Sequence, residues 1–113
     1  METAIKIEAL DELRSLMGDS LDEVLQSFID YVPGQIDELS TAVMNEDAEG
    51  VFNLAHKMKS SSSSIGALGL AQMAEQIELI GRAGSTEGTA ELLEKLKGMY
   101  SDAESLLLVQ LKK

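Results

Sequence analysis

The sequence contains no cysteine and no tryptophan, one proline, one histidine and few aromatic residues. Without cysteine there is no disulfide framework and no thiolate zinc site, and one histidine leaves little for a transition metal. Hydrophobic residues make up 44% of the chain but aromatic residues only 4%, so the core must be aliphatic and rich in methionine. Such a core suits packed helices better than a β-sandwich. The absence of cysteine also favours a cytoplasmic location.

Basic residues are scarce, since nine lysines and arginines stand against twenty aspartates and glutamates, for a formal net charge of -11. This charge opposes non-specific binding to nucleic acid or to an anionic membrane. The longest apolar runs, such as residues 106–109, are far too short to span a bilayer, and the N-terminus lacks the regions of a signal peptide. We therefore expect no nucleic acid partner, no membrane insertion and one small domain over residues 1–113.

The first half of the chain has two segments with apolar residues at helical intervals. The first, about residues 3 to 17, predicts a short helix that Gly18 ends. The second begins at Ser20, which forms a capping-box signature with Glu23. The apolar spacing continues past Pro33, where we expect either a kink or a break into two helices.

The second half of the chain predicts three more helices. Asp47 is placed to cap the helix that carries the histidine, which should end near Ile65. A further helix runs from about residue 68 to residue 80 and is ended by Gly81 and the run from Gly84 to Gly88, which form the loop. A last apolar stripe covers residues 92–107. The predicted fold is all-α: an antiparallel four-helix bundle with a short N-terminal covering helix.

Five consecutive serines, residues 60–64, allow two interpretations. Serine is a mediocre helix former and a run of it can be a flexible linker. Against this, the apolar spacing crosses the run from Met58 to Ile65, and serines on an inward face let helices approach closely. The spacing favours a helix through the serines.

His56 lies opposite the apolar side of its predicted helix on a wheel of about 100° per residue, so we expect it to be exposed. A lone exposed histidine can simply be a surface residue. However, a neutral imidazole with a free nitrogen and room for a partner can also act as a nucleophile. Ser60 and Ser63, on the same face, leave that room. Lys59 could place an ammonium beside negative charge that arrives on the ring.

The residues around the histidine resemble the histidine-containing phosphotransfer (HPt) domains of bacterial phosphorelays. The resemblance lies in Ala55-His56-Lys57-Met58-Lys59-Ser60-Ser61, followed by Gly66-Ala67, Leu70 and Ile77-Glu78. Two positions depart from the family's pattern: Ser60 stands where a glycine is common, and Ala74 where a cysteine is common. Serine is still small enough to preserve access to the histidine.

The resemblance implies that His56 accepts a phosphoryl group from a receiver-domain aspartate and passes it to the aspartate of another receiver. The chain would then be a phosphoryl carrier and not an enzyme in its own right. It would need no intrinsic cofactor or metal, because the receiver supplies the acidic pocket and its Mg²⁺. The expected partners are receiver domains of response regulators or hybrid sensor kinases, and we expect a monomer so that the site stays accessible.

The resemblance also suggests roles for the residues near His56. Lys59 would pair with the phosphoryl oxygens, Glu78 would orient the imidazole and Arg82 would lie near the phosphate, although Glu78 and Arg82 could equally form an ordinary i,i+4 surface pair. Phe52 could anchor a partner or fold laterally over the bundle. The partner-binding surface is predicted to comprise Phe52, Asn53, Lys57, Ser60 and Ser63.

Two other functions stay open. The chain could be a helical-bundle docking module that binds a protein by surface complementarity, with His56 unphosphorylated. It could also be an enzyme in which Glu78 and His56 form an acid/base pair, but no second histidine, cysteine or recognisable carboxylate pair supports that.

Overall fold

The computed structural model describes residues 5–111, which form five helices and no strand. The helices are α1 (Ile7–Met17), α2 (Ser20–Met44), α3 (Ala48–Ser64), α4 (Leu68–Arg82) and α5 (Thr89–Leu111). The predicted start of the first helix at residue 3 lies outside the described residues. None of the helices in this range is both long enough and apolar enough to cross a membrane.

Helices α2 to α5 form the four-helix bundle that the apolar periodicity predicts. Each of them packs against two of the others, in the cyclic order α2, α3, α4, α5, and α1 packs on α2. The core is aliphatic, and an aromatic pair joins α2 to α5, with the ring centroids of Phe28 and Tyr100 5.9 Å apart. Its largest fully buried side chains are Leu10, Leu21, Leu25, Leu39, Met58, Ile65, Leu70, Ile77, Leu96, Leu107, Val32 and Val51.

The ends of α3 follow the local sequence signals. Asp47 caps its N-terminus, because the side chain accepts a hydrogen bond of 3.0 Å from the backbone N–H of Gly50. The serine run is helical to Ser64, so the linker interpretation is wrong. The chain then turns at Gly66, whose φ of +74° suits glycine and whose missing Cβ leaves room for Ala9 of α1.

At α2 the structure corrects one prediction and decides between two alternatives. Ser20 lies in the first turn of the helix and Asp19 precedes it in helical conformation without a side-chain cap, so the capping box does not form. With a link of two residues between α1 and α2, the backbone oxygens of Gly18 and Asp19 accept the first N–H groups instead. The helix is continuous through Pro33, so of the two alternatives there, a kink or a break into two helices, the break does not occur. The buried stripe continues on both sides of the proline and holds the two halves on one core.

Gly81 does not end α4, which continues to Arg82. It is buried where α4 crosses α3. A Cβ at this position would lie 2.7 Å from the backbone nitrogen of Phe52 and 2.9 Å from the carbonyl oxygen of Ala48. Gly81 therefore lets the two helix backbones approach more closely than any other residue would.

Candidate functional site

The interface between α3 and α4 is the most extensive helix contact of the bundle, and it brings His56 and Glu78 together. Gly81 marks a point of close approach between the two backbones, because a Cβ there would meet backbone atoms of Phe52 and Ala48. The buried small residues of the two helices are Ala55, Ser62, Gly69, Ala71, Ala74 and Gly81. The tight packing places a carboxylate of α4 directly under a side chain on the outer face of α3.

His56, Glu78 and Lys59 form one polar cluster. The Nδ1 atom of His56 lies 2.7 Å from Oε2 of Glu78, and the Nζ atom of Lys59 lies 2.7 Å from Oε1 of the same carboxylate. The side chain of Glu78 is only 9% exposed, whereas that of His56 is 56% exposed and that of Lys59 is 31% exposed. The cluster thus has a buried anion at its base and two groups that reach solvent.

The ionised state of Glu78 depends on these partners. Burial by itself raises the pKa of the Glu78 carboxyl, because it disfavours the charged form. The hydrogen bonds and charges of Lys59 and His56 act in the opposite direction and together outweigh burial, so the pKa of Glu78 lies below its ordinary value. The carboxylate is therefore ionised at neutral pH.

An ionised carboxylate determines which nitrogen of the ring is free. A carboxylate only accepts hydrogen bonds, so Nδ1–H of His56 must donate to Oε2. In the neutral imidazole, the lone pair available for reaction is then on Nε2. No hydrogen bond or ion pair of Nε2 occurs in residues 5–111, and more than half of the side chain is exposed. The geometry presents an oriented nucleophile at the surface.

Phe52 takes a position between its two predicted alternatives. Its ring is half-buried and stacks on the ring of His56, with centroids 6.2 Å apart and planes inclined by 24°. Its backbone rests against Gly81. The aromatic ring therefore supports one side of the imidazole.

The other predicted site residues lie around this cluster. Asn53, Lys57, Ser60 and Ser63 are exposed on α3, as the helical wheel predicts. Arg82 is exposed in the last turn of α4, and within the described part of the chain the ion pairs of Glu78 are with His56 and Lys59. The expected i,i+4 surface pair with Arg82 is therefore absent there, because the carboxylate points toward α3.

Two features of the site were not predicted from the sequence. One is the ion pair of Lys59 with Glu78, which links residues on different helices. The other is the close approach at Gly81. The sequence did contain a signal for this close approach. Ala74, Glu78 and Gly81 are spaced by four and three residues, so two small residues lie on the same face of α4 as Glu78.

We compared the chain with known protein families, curated proteins and solved structures. Residues 23–106 match the family described as "Hpt domain". The aerobic respiration control sensor protein ArcB, from Escherichia coli O157:H7 and from strain K12, is 26% identical over 97 residues, which cover 85% of this chain. The chain spans 12% of the length of these curated relatives. The crystal structure of histidine-containing phosphotransfer protein B (HptB) from Pseudomonas aeruginosa PAO1 has the same fold, with a TM-score of 0.90, 22% identity and coverage of 99% of this chain and 97% of that one.

Proposed function

Because the chain belongs to the Hpt domain family, we propose that His56 takes a phosphoryl group from the aspartate of one receiver domain and gives it to the aspartate of another. The observation that carries the proposal is the half-exposed imidazole whose Nδ1 is bound by a buried carboxylate, which leaves Nε2 as the reactive nitrogen. Family membership supports a phosphorelay role in general. The transfer between two aspartates is the specific part of the proposal.

In the first step, the lone pair of Nε2 attacks the phosphorus of an aspartyl phosphate in line with the bond to the leaving oxygen. The P–N bond forms while the P–O bond breaks, and the electron pair of that bond leaves with the aspartate carboxylate. The proton on Nδ1 stays in its hydrogen bond to Glu78. The second step is the reverse reaction, with the carboxylate of another receiver as the nucleophile.

Lys59 has the position and the freedom to assist the transfer. Its ammonium is bound to Glu78, beside the ring, and its side chain is 31% exposed on a flexible stem. When a phosphoryl group arrives on Nε2, the ammonium can contact its oxygens and balance the added negative charge. The Mg²⁺ that balances charge during transfer would belong to the receiver, so this chain supplies only the nucleophile and its immediate surroundings.

The charge of the surface supports a receiver as the partner. The chain carries a net charge of -11, yet three of its nine lysines and arginines are Lys57, Lys59 and Arg82. These residues lie on the two helices that form the site, where they would complement the acidic pocket of a receiver. The small exposed side chains of Ser60 and Ser63 leave space for that pocket to reach the ring. A monomeric state and a cytoplasmic location remain predictions.

The proposal is tested by phosphoryl transfer from a phosphorylated receiver domain, with the native chain compared with His56→Gln. We expect acid-labile, alkali-stable phosphate on the native chain and none on the variant, since the sequence has no second histidine. Circular dichroism must show the same helicity for both. A Ser101→Ala variant, changed at an exposed position of α5 outside the predicted partner-binding surface, should be labelled like the native chain.

The same experiment separates a carrier from a docking module. If a broad panel of phosphorylated receivers binds the native chain but leaves no phosphate on it, the carrier role is wrong and the docking function takes its place. Binding that survives His56→Gln unchanged, together with labelling that is lost, assigns the histidine to chemistry and the surrounding surface to recognition.

A further inference from the structure

The residue that binds Nδ1 of His56 is an acid and not an amide, and this difference has a chemical consequence. One oxygen of Glu78 accepts a hydrogen bond from the imidazole, and the other forms an ion pair of 2.7 Å with Lys59. An ionised carboxylate has no proton to donate. A glutamine of the same shape could turn its NH₂ group toward the ring and donate to a bare Nδ1.

Phosphorylation makes this distinction important. When neutral His56 accepts a phosphoryl group on Nε2, Nδ1 keeps its hydrogen and the ring becomes an imidazolium. That species is the reactive one, because breaking its P–N bond returns the electron pair to Nε2 and regenerates a neutral ring. If Nδ1 instead loses its proton, the same bond cleavage would leave an imidazolate, so the phosphoryl group is held much longer.

We propose that Glu78 is a positioning residue that keeps the phosphorylated imidazole of His56 protonated at Nδ1 through neutral and mildly alkaline pH, and so holds the phosphoryl group ready for transfer. Loss of the proton would leave a bare Nδ1 facing a carboxylate oxygen at 2.7 Å, two acceptors with no hydrogen between them. The inference rests on the proposed function and adds a control on the lifetime of the intermediate.

The charged groups of both helices are compatible with this role. On α3, Lys59 binds the second oxygen of Glu78 and Lys57 is exposed nearby; on α4, Glu75 and Arg82 lie about one turn to either side of Glu78. Within the described residues, the ion pairs of the carboxylate are with Lys59 and His56. Their hydrogen bonds and charges keep the pKa of Glu78 below its ordinary value despite burial, so the carboxylate stays an acceptor. If Lys59 turns toward the phosphoryl group, Glu78 is left with Nδ1–H as its main partner.

The test loads His56 chemically and so does not depend on finding the right receiver. Phosphoramidate transfers its phosphoryl group to an imidazole as its own P–N bond breaks and ammonia leaves. The loss of phosphate from His56 is then followed from about pH 6 to about pH 9 in the native chain, in Glu78→Gln and in Glu75→Gln. The last variant is the matched control, because it removes the same charge from an exposed position one turn away on α4.

We expect the native phosphoprotein and Glu75→Gln to lose phosphate rapidly across this range. In Glu78→Gln the loss should slow as the pH rises, by about tenfold or more near pH 8, since an opposite charge in contact displaces a protonation equilibrium by at least about that factor. Nitrogen-15 NMR of the native phosphoprotein gives an independent readout, which should show Nδ1 protonated near pH 8.

The possible failures are distinct. If the native chain takes phosphate on His56 but its Nδ1 is deprotonated near pH 8, the role of Glu78 is wrong and the carrier function stands. The same holds if Glu78→Gln, with native helicity, loses phosphate at the native rate at every pH. If phosphoramidate leaves no acid-labile phosphate on the native chain while it labels free imidazole, both the carrier function and this inference are wrong.

Discussion

Gly81→Ala is expected to destabilise the protein, although alanine is the better helix former. A methyl group at this position would meet the backbone nitrogen of Phe52 at 2.7 Å and the carbonyl oxygen of Ala48 at 2.9 Å, whereas ordinary contacts begin at 3.4 Å. Both obstructing atoms belong to the backbone of α3, so neither can rotate away. Helices α3 and α4 would have to separate by more than half an ångström at this point.

The change in the free energy of unfolding caused by Gly81→Ala is the sum of two opposing effects. Overpacking costs about 1–3 kcal/mol in a well-packed interior, and the upper part of that range, about 2–3 kcal/mol, applies here because both obstructing atoms are backbone atoms. Replacing glycine with alanine inside a helix contributes about 1 kcal/mol in the opposite direction. We expect a net loss of about 1–2 kcal/mol in the free energy of unfolding, and a weaker contact between His56 and Glu78, which lies one turn before Gly81 on α4.

Urea unfolding followed by circular dichroism measures this loss, and Gly98→Ala is the matched control. Gly98 lies inside α5, is exposed, and would place its methyl group more than 4 Å from any neighbour outside its own turn. That variant should gain about 0.5–1 kcal/mol from helix propensity alone. If Gly81→Ala proves as stable as the native chain, then the close approach of α3 and α4 does not constrain this position and our reasoning is wrong.

Two further predictions concern buried polar residues of α3 and α4. The hydroxyl of Ser62 is fully buried and has no hydrogen-bond partner in residues 5–111, so Ser62→Ala should raise the free energy of unfolding by about 1 kcal/mol. Ser63 is exposed, so Ser63→Ala should raise it by only about a few tenths of a kcal/mol. Equal gains of the two variants in urea unfolding would contradict the burial argument. The pKa of Glu78 is lowered from its ordinary 4.5 in the folded chain, so its stabilising contribution is complete above about pH 4.5 and is lost as the pH falls through the lowered folded-state value. The stability difference between the native chain and Glu78→Gln, measured from about pH 7 to about pH 3, should therefore shrink toward acid, and a difference that stays constant would show that the carboxylate is not held ionised by its partners.

The apolar spacing was enough to predict the helices of the bundle, because burial of one face requires nonpolar residues at intervals of three and four. The cap at Asp47 could also be predicted, since it involves only residues within one turn. The signals that misled were equally local. A glycine such as Gly81 is typical of a helix end, but here it lies inside α4, where α3 packs closely against it. Ser20 with Glu23 is typical of a capping box, but none forms because only two residues link α1 to α2.

In the candidate site, too, properties that depend on one helix could be predicted and properties that depend on two helices could not. The exposure of His56 and the small residues around it follow from positions on one helix, and its chemistry follows from a resemblance carried by short motifs. The partners of Glu78 do not follow in this way. Spacing along α4 suggested Arg82, four residues away, but the structure gives His56 and Lys59, which lie on α3.

The sequence by itself determined the all-α class, the buried face of each helical segment and the outward direction of the one histidine, because these depend on periodicity within single helices. Only the tertiary structure decided which nitrogen of that histidine is free and which cation balances the buried carboxylate. Those properties depend on distances of 2.7 Å between two helices, which are determined by how closely the backbones can approach at Gly81 and its small neighbours.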